Sequence, residues 1–536
     1  MNKSRYIAIL LLSMAFITIA QTMPKSIKKL LNAQYAISAF YVDSVNEDKI
    51  VEDAIKGILK ELYPHSTYTT AAETKELDEP LQGSFSGIGI QFRMNEDSLY
   101  VIQTVAGGPS ERVGILAGDR IVTVNDTTIA GVKMNTNDIM KRLRGPKGSK
   151  VELKVKRGKS PELITFRITR DNIPLYSIDA SYMIDDKTGY VKIARFAAST
   201  NQEFVSAIDS LKRVGMKQLI VDLTDNGGGY LNSAIEMGNE LLGRGEMIVY
   251  TEGRTSPRNE AKALGNGKYR KGKVAVLVNQ YSASAAEIFA GAVQDWDRGV
   301  IIGRRSFGKG LVQRPLRFED GSMVRLTVAR YYTPSGRCIQ KPYKKGDRLD
   351  YEMDILNRYK DGELSNADSI HFADSLRVST LKNGRAIYGG GGIMPDVFVP
   401  IDTTEYSDYY RDLVAKGIIV QYSLNYVDSH RKQLLSQYAN VAQFDAQFAV
   451  DEQMTKDIIA AGERDSVHFN EQQYSKSHNL ICNVVKALIA RDAYSDPSAY
   501  FVVMNHTNPI VKQAIDILND DRRYNEILTG KPSHKK

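Results

Sequence analysis

Residues 274–313 read VAVLVNQYSASAAEIFAGAVQDWDRGVIIGRRSFGKGLVQ. A run of β-type apolar residues, Val274 to Val278, ends in Asn279-Gln280-Tyr281, and a helical pattern starts at Ser284. A second apolar run, Val300-Ile301-Ile302, leads to the glycine-flanked Lys309, and Gln313 follows four residues later. A serine where a strand gives way to a helix holds its hydroxyl at the edge of a sheet. Beside it, the N–H groups of the first helical turn have no partner within the helix and favour an anion. The segment thus pairs a candidate nucleophile with a candidate anion site. The plain alternative is structural, because Ser284-x-x-Glu287 also fits a capping box that only satisfies helix-terminal N–H groups.

A nucleophilic serine needs a base. The chain has seven histidines, His65, His371, His430, His468, His478, His506 and His534, and none lies between 66 and 370, where the α/β pattern sits. A Ser-His-Asp arrangement would require a distant histidine to fold back. The other solution is a lysine stripped of water, since burial disfavours the ammonium form and leaves a basic amine. Lys309, 25 residues after Ser284, is the candidate. A rival reading uses the same lysine: Gly303-Arg-Arg-Ser-Phe-Gly308-Lys309 satisfies the G-x-x-x-x-G-K of a phosphate-binding loop. Gly310 stands where a Ser or Thr would hold magnesium, and Pro315 with the alternating Val324, Leu326 and Val328 predicts strands in place of the required helix. No HExxH or other metal-ligand pattern occurs, so neither a metal nor a cofactor is expected.

These residues resemble the C-terminal processing (tail-specific) peptidases, serine proteases that use a Ser-Lys dyad often completed by Gln. The family pattern runs close to S-A-S-A-S-E-I, an Asp eleven residues after the nucleophile, then F-G-K-G-x-V-Q. This chain has Ser282-Ala283-Ser284-Ala285-Ala286-Glu287-Ile288, Asp295, and Phe307-Gly308-Lys309-Gly310-Leu311-Val312-Gln313. The resemblance implies Ser284 as nucleophile, Lys309 as general base and Gln313 as the residue orienting the lysine. Asp295 reads as a structural hydrogen-bonding or ion-pairing residue.

An earlier turn, Asp222-Leu223-Thr224-Asp225-Asn226-Gly227-Gly228-Gly229, follows a buried-strand pattern over 218–224 and precedes a helical pattern over 231–242. It is similar to the family's D-L-R-x-N-P-G-G, which implies the backbone N–H groups of Gly228 and Ala285 as oxyanion donors. Thr224 stands for Arg and Gly227 for Pro. Three glycines let a backbone approach a ligand closely, and the extra one predicts a turn that substrate must order.

Residues 84–170 resemble a PDZ domain, with Ser86-Gly87-Ile88-Gly89-Ile90-Gln91-Phe92 as its carboxylate-binding loop and Gly118-Asp119-Arg120-Ile121 in a later turn and strand. In such a domain a peptide adds as a strand at the sheet edge while loop N–H groups capture its terminal carboxylate. Gly87, Ile88 and Gly89 would supply those groups, and Ile88, Ile90, Ile139 and Leu143 an apolar pocket, so bound tails should end in small or aliphatic residues. Arg144 occupies a position that in relatives can link PDZ orientation to the active site; an exposed loop arginine is the alternative.

The remaining sequence frames this reading. At 536 residues, two to four domains are expected, and 42% hydrophobic with 25% charged residues is ordinary for a soluble globular protein. The net charge of +8 is dispersed, so no nucleic-acid surface is expected. Met1 to Ala20 has Lys3 and Arg5 before an uncharged apolar run, a signal-peptide layout that places the protein in the periplasm or cell envelope, with an uncleaved membrane anchor as the alternative. Cys338 and Cys482 are the only cysteines, and their pairing is left open.

The expected architecture is multidomain α/β. A signal peptide at 1–20 and a helical region at 23–80, with His65 structural, come first. A PDZ domain at 84–170 is inserted before a crotonase/ClpP-like αβ protease core at 185–400, which carries a surface insertion at about 341–385. A helical extension follows at 402–536, with helices expected over 409–439, 452–461 and 471–491. The expected function is an exported serine endopeptidase that cleaves envelope proteins after its PDZ domain recognises their apolar C-terminal tails. The alternative is a catalytically degenerate PDZ scaffold or adaptor that binds such tails. Partners would be proteins with free apolar C-termini, with a homo-oligomer or adaptor left open.

Overall fold

The computed structural model describes residues 24–531 apart from 96, 106, 117, 159, 345 and 346, so the expected signal peptide lies outside the described residues. The chain forms two compact units, one of residues up to 72 with 313–327 and 343–351, the other of 73–312, 328–342 and 352 onward. The first unit contains helices Lys25–Phe40 (α1) and Glu47–Lys60 (α2) and the strand Thr67–Thr69 (β1), which pairs antiparallel with residues 323–325. Asn46 caps α2 by accepting the Lys49 N–H at 3.0 Å, and Glu47 and Asp48 in the first turn complement the helix dipole. His65 is held edge to face against Tyr351, its Nε2 2.9 Å from the tyrosine hydroxyl.

In the second unit, strands Ser84–Gly87 (β2) and Asp171–Pro174 (β8) pair antiparallel where the chain enters and leaves the PDZ fold. Between them an antiparallel sheet runs in the order Ile90–Asn95 (β3), Ser98–Thr104 (β4), Arg120–Val124 (β5), Lys150–Lys156 (β6) and Leu163–Thr169 (β7). Val151, Leu153 and Val155 alternate inward along β6, the period of a half-buried strand. Helix Thr136–Leu143 (α3) closes the core with Ile139 and Leu143. The order leaves β3 at an open edge.

The catalytic-type core is a six-stranded sheet: Ile178–Met183 (β9), Thr188–Ile193 (β10), Gln218–Asp222 (β11), Lys273–Val278 (β12), Val300–Gly303 (β13) and Val397–Phe398 (β15). Only the first pair is antiparallel. Strands β10 to β13 are buried along nearly their whole length, as in a sheet covered on both faces, and β12 and β13 are almost wholly apolar. Helices Thr200–Arg213 (α4), Leu231–Leu241 (α5) and Ala285–Asp295 (α6) cover one face through Phe204, Ile208, Met237 and Phe289. The other face is covered from far along the chain. Helices Pro509–Asn519 (α11) and Asp521–Thr529 (α12) pack Ile510, Val511, Ile517 and Tyr524 onto Ile220, Ala275, Leu277 and Ile302. The C-terminal helical region therefore lends its last two helices to the core, while residues 409–503, with the long helix Glu471–Tyr494 (α10) among them, hold a separate hydrophobic cluster of their own.

Two expectations change in detail. The helix expected over 409–439 is two, Asp408–Ala415 (α8) and Ile418–Gln437 (α9), because Gly417 between them takes φ +71° and ends the first. The insertion at 341–385 is not merely surface decoration: its helix Arg348–Lys360 (α7) buries Arg358, and Leu364 beyond it is buried too. Arg93 of β3 ties the PDZ fold to α9, donating to Asn425 Oδ1 at 3.2 Å and pairing with Asp428.

Adjacent parallel strands β11, β12 and β13 end in register, with Asp222 opposite Leu277 and Leu277 opposite Ile302. Their following loops leave one edge of the sheet together, the edge at which open α/β sheets build sites.

Candidate active site

Ser284 sits between β12 and α6 with φ +56° and ψ −113°. A non-glycine residue at such angles stores on the order of 1–3 kcal/mol of strain, held only by its surroundings. Those surroundings are specific. The Ser284 N–H donates to Glu287 Oε2 at 2.8 Å, the Ala283 N–H to Asn226 O at 2.9 Å, and the Ser282 hydroxyl to Leu223 O at 2.7 Å. A tight strand-to-helix elbow of this kind presents a serine hydroxyl at the sheet edge.

Glu287 is fully buried and does more than cap its helix. Its Oε2 also accepts the Lys309 N–H at 2.9 Å, and its Oε1 accepts the Gly308 N–H at 2.7 Å and the Ser306 hydroxyl at 2.5 Å. One carboxylate thus joins the turn bearing Ser284 to the turn bearing Lys309. Burial pushes this carboxyl above its ordinary value, against the opposite pull of the four hydrogen bonds. The Tyr331 hydroxyl makes a second joint, donating to Ser284 O at 3.0 Å and to Lys309 O. Ser284 and Lys309 are both half-buried. Gln313 lies on the strand Leu311–Arg317 (β14), also half-buried. That strand begins two residues after Lys309, where a phosphate-binding loop would start its helix, so the nucleotide reading fails.

The glycine turn lies against the elbow. Gly228 takes φ +97°, and a Cβ there would fall 2.7 Å from Ala283 O, 2.8 Å from Ser284 Cβ and 3.0 Å from Ala285 N. Only glycine permits that approach. The Ala285 N–H has no acceptor among the described residues, whereas the Gly228 N–H donates to Asn226 Oδ1 at 2.8 Å. The two expected donors are therefore neighbours, one open and one engaged. The turn itself is already ordered. Asn226 Nδ2 donates to Ile193 O at 2.8 Å, and Asp225 exchanges hydrogen bonds with Asn279. These polar ties replace what Gly227 gives up in stiffness, but Asn226 Oδ1 occupies the Gly228 N–H that an oxyanion would need.

Thr224, which stands where relatives carry Arg, has a cation beside it from the next strand. The buried Lys192 amine donates to Thr224 O and Thr224 Oγ1, both at 2.6 Å, and to Asp222 Oδ1 at 3.1 Å. The sequence reading missed Lys192, whose partners lie some thirty residues on. Asp295 is structural: it forms a fully buried ion pair with Arg337 at 2.8 Å and accepts the Ser335 N–H at the same distance. Cys338 and Cys482 are free thiols, and burial pushes both above their ordinary value.

At the PDZ loop, the Ile88 and Gly89 N–H groups have no acceptor among the described residues, and they lead into the open edge of β3. Gly87 instead pairs with Asp171 in the β2–β8 stem. Of the expected pocket, Ile88, Ile139 and Leu143 are buried in the domain core, and Ile90 is half-exposed. The floor is thus filled by the domain's own packing. Arg144 is no free loop arginine: it pairs with Glu79 and lies 4.5 Å over the Phe85 ring. Among the described residues no cluster of His, Cys, Asp or Glu could hold a metal ion, and no helix is long and apolar enough to cross a membrane.

A strained serine elbow, a lysine turn hung from the same carboxylate and a peptide-binding fold ahead of them define a serine-type peptidase of PDZ-containing build. Comparison with known proteins agrees. The model of peptidase family S41 matches residues 187–350, a PDZ model matches 86–168, and a family of unknown function, DUF8443, matches 409–495. The carboxy-terminal processing protease CtpA of Bacillus subtilis is 36% identical over 353 residues, covering 64% of this chain and 75% of that protein. A probable CtpA-like serine protease of Staphylococcus aureus is 31% identical over 374 residues, covering 69% and 73%. Among solved structures, the photosystem II D1 C-terminal processing protease aligns over 59% of this chain and 90% of its own, with 29% identity and a TM-score of 0.33. The chain belongs to peptidase family S41, with the carboxy-terminal processing proteases.

Proposed function

We propose that the protein is an exported serine endopeptidase that reads apolar C-terminal tails through its PDZ fold and cuts the proteins carrying them. The observation that supports this best is the shared Glu287 Oε2, which takes the backbone N–H of both Ser284 and Lys309. In the reaction, Ser284 Oγ attacks the scissile carbonyl and passes its proton to the neutral Lys309 amine. The oxyanion that forms takes hydrogen bonds from the Ala285 and Gly228 N–H groups, the latter released by Asn226 as the stronger acceptor arrives. Collapse expels the amine, which takes the proton from Lys309, and water then releases the acyl-enzyme by the same route. Gln313 orients the lysine.

Tail binding uses the free Ile88 and Gly89 N–H groups for the carboxylate and the open β3 edge for the peptide backbone. Because Ile88, Ile139 and Leu143 already pack together, the last side chain should be small. The leader at 1–20 directs the protein to the envelope. A homo-oligomer belongs to the proposal as well, since α1 buries none of its residues and exposes Ile27, Leu30, Leu31 and Phe40.

The test is cleavage of an unstructured protein ending in Ala-Ala, beside the same chain with a C-terminal amide, by wild type, Ser284→Ala and Lys309→Ala. Cleavage by wild type alone, weakened by the amide, is expected. Cleavage indifferent to the amide removes the tail-reading role. Binding without cleavage at any pH from about 7 to 10, a span that reaches the ordinary lysine range, makes the protein a scaffold.

A further inference from the structure

The loop carrying Lys309 is gripped from two sides. Glu287 holds its N–H groups, as described above. Its carbonyls face Arg358 of α7, in the insertion at 341–385. Arg358 donates Nη1–H to Ser306 O at 3.0 Å and Nη2–H to Arg305 O at 2.6 Å. Two bonds from one planar fork to consecutive carbonyls fix the direction of a loop as well as its distance, which a single ammonium cannot do.

The rest of the insertion reinforces the grip. Glu363 pairs with Arg305, whose Nε donates at 3.0 Å, and lies 3.4 Å from Arg358 Nε. Asp354, one turn before Arg358, pairs with Lys341 at 3.0 Å. The Lys341 N–H donates to Gly308 O at 2.8 Å, and its ammonium lies 4.2 Å over the Phe307 ring. Burial pushes Arg358 down to about 10, which still leaves it cationic near neutral pH. Taking a guanidinium out of water is costly, and apolar packing would anchor a surface segment as well. The placement makes sense only if the loop's position matters.

We propose that Arg358 is a positioning residue for peptide-bond cleavage: by holding the carbonyls of Arg305 and Ser306, it sets where the Lys309 turn stands beside the Ser284 elbow. The inference rests on the assignment of Lys309 as base. Arg358 acts through the loop and touches neither substrate nor the reacting atoms.

Four variants of the full-length protein test it, one of them Arg358→Ala, which leaves room for added guanidinium. Arg358→Met keeps the bulk and removes the fork, Arg358→Lys keeps the charge, and Leu356→Ala on the exposed side of α7 is the control. Amide hydrogen exchange over 304–312 reads the grip directly. Exchange there should quicken roughly tenfold or more in Arg358→Met, since a local opening loses its restraint, while β12 stays protected. The turnover number should fall about as much with KM little changed, as for an interaction made only at the reacting centre. Arg358→Lys should lie between, and added guanidinium should restore part of the activity of Arg358→Ala.

Unchanged exchange over 304–312 overturns the proposal whatever the activity does. Faster exchange with an unaltered turnover number overturns its catalytic meaning. If Arg358→Met loosens β12 as well, Arg358→Lys carries the comparison by the same criteria. If wild type cleaves nothing, the peptidase assignment falls by itself, and the catalytic role of Arg358 falls with it.

Discussion

Replacing Glu287 by glutamine would break the joint between the serine and lysine turns with a change of one atom. The carboxylate accepts Ser306 Oγ–H and the Gly308 N–H on one oxygen, at 2.5 and 2.7 Å, and the Ser284 and Lys309 N–H groups on the other, at 2.8 and 2.9 Å. Glutamine keeps one oxygen and presents an NH2 to the other pair. If the NH2 faces Ser284 and Lys309, two buried N–H groups lose their acceptor. If it faces Ser306, the hydroxyl can turn, but Gly308 N–H cannot. Each orphaned donor costs about 1–3 kcal/mol, so the milder orientation costs about that much and the other about twice as much. The two turns should separate. The turnover number is expected to fall roughly 10- to 100-fold with KM nearly constant, the pattern of lost transition-state positioning.

Steady-state cleavage of the Ala-Ala substrate, with urea unfolding in parallel, checks both halves. Burial raises this carboxyl, so the folded protein keeps its proton to higher pH than the unfolded chain does. Its contribution is then greatest below the ordinary carboxyl range and declines as pH rises through the folded value. The stability gap between wild type and E287Q should narrow accordingly from low to neutral pH. Cleavage within about threefold of wild type, with an unchanged unfolding midpoint, would refute the reasoning.

Other substitutions probe the neighbouring parts. Gly228→Ala would push a methyl to 2.7 Å from Ala283 O; loss of one oxyanion donor predicts a fall of roughly 10²–10³ in turnover number, read against unaltered binding of a tail peptide. Lys192→Met leaves Asp222 buried without its cation, which predicts a destabilisation of about 3–5 kcal/mol in urea unfolding. Arg93→Ala cuts the tie to Asn425 and Asp428; limited proteolysis should cut the PDZ strands sooner, while the fluorescence of Trp296 in the core stays constant. Deleting residues from 509 onward uncovers Ile220, Leu277 and Ile302, each worth about 1.5–3 kcal/mol of burial, so the truncated chain should recover in the insoluble fraction.

What could be read in advance follows the range of the interactions. The strand, elbow and helix around Ser284 are written between Lys273 and Asp295, as an apolar run, a capping pair and an apolar helix. The glycine turn and the PDZ loop are equally local. Glu287 was legible as a cap, but its hold on Lys309 depends on two loops meeting across adjacent strands. Arg358 and Lys192 were opaque for another reason: a charged side chain defaults to solvent unless a partner is known. The helical pattern beyond 402 implied buried faces without saying what would cover them, and α11 was not among its clearest stretches. Gly417 slipped past because one glycine in a helical pattern costs only about 1 kcal/mol.

The cover supplied by α11 and α12 has a consequence in time. Strand β13 is complete about two hundred residues before α11 begins. At roughly 5–20 residues per second, the sheet that bears the elbow waits about 10–40 s during synthesis with Ile220, Ala275 and Leu277 still bare. One half of the core is therefore finished only by the last part of the chain to be made.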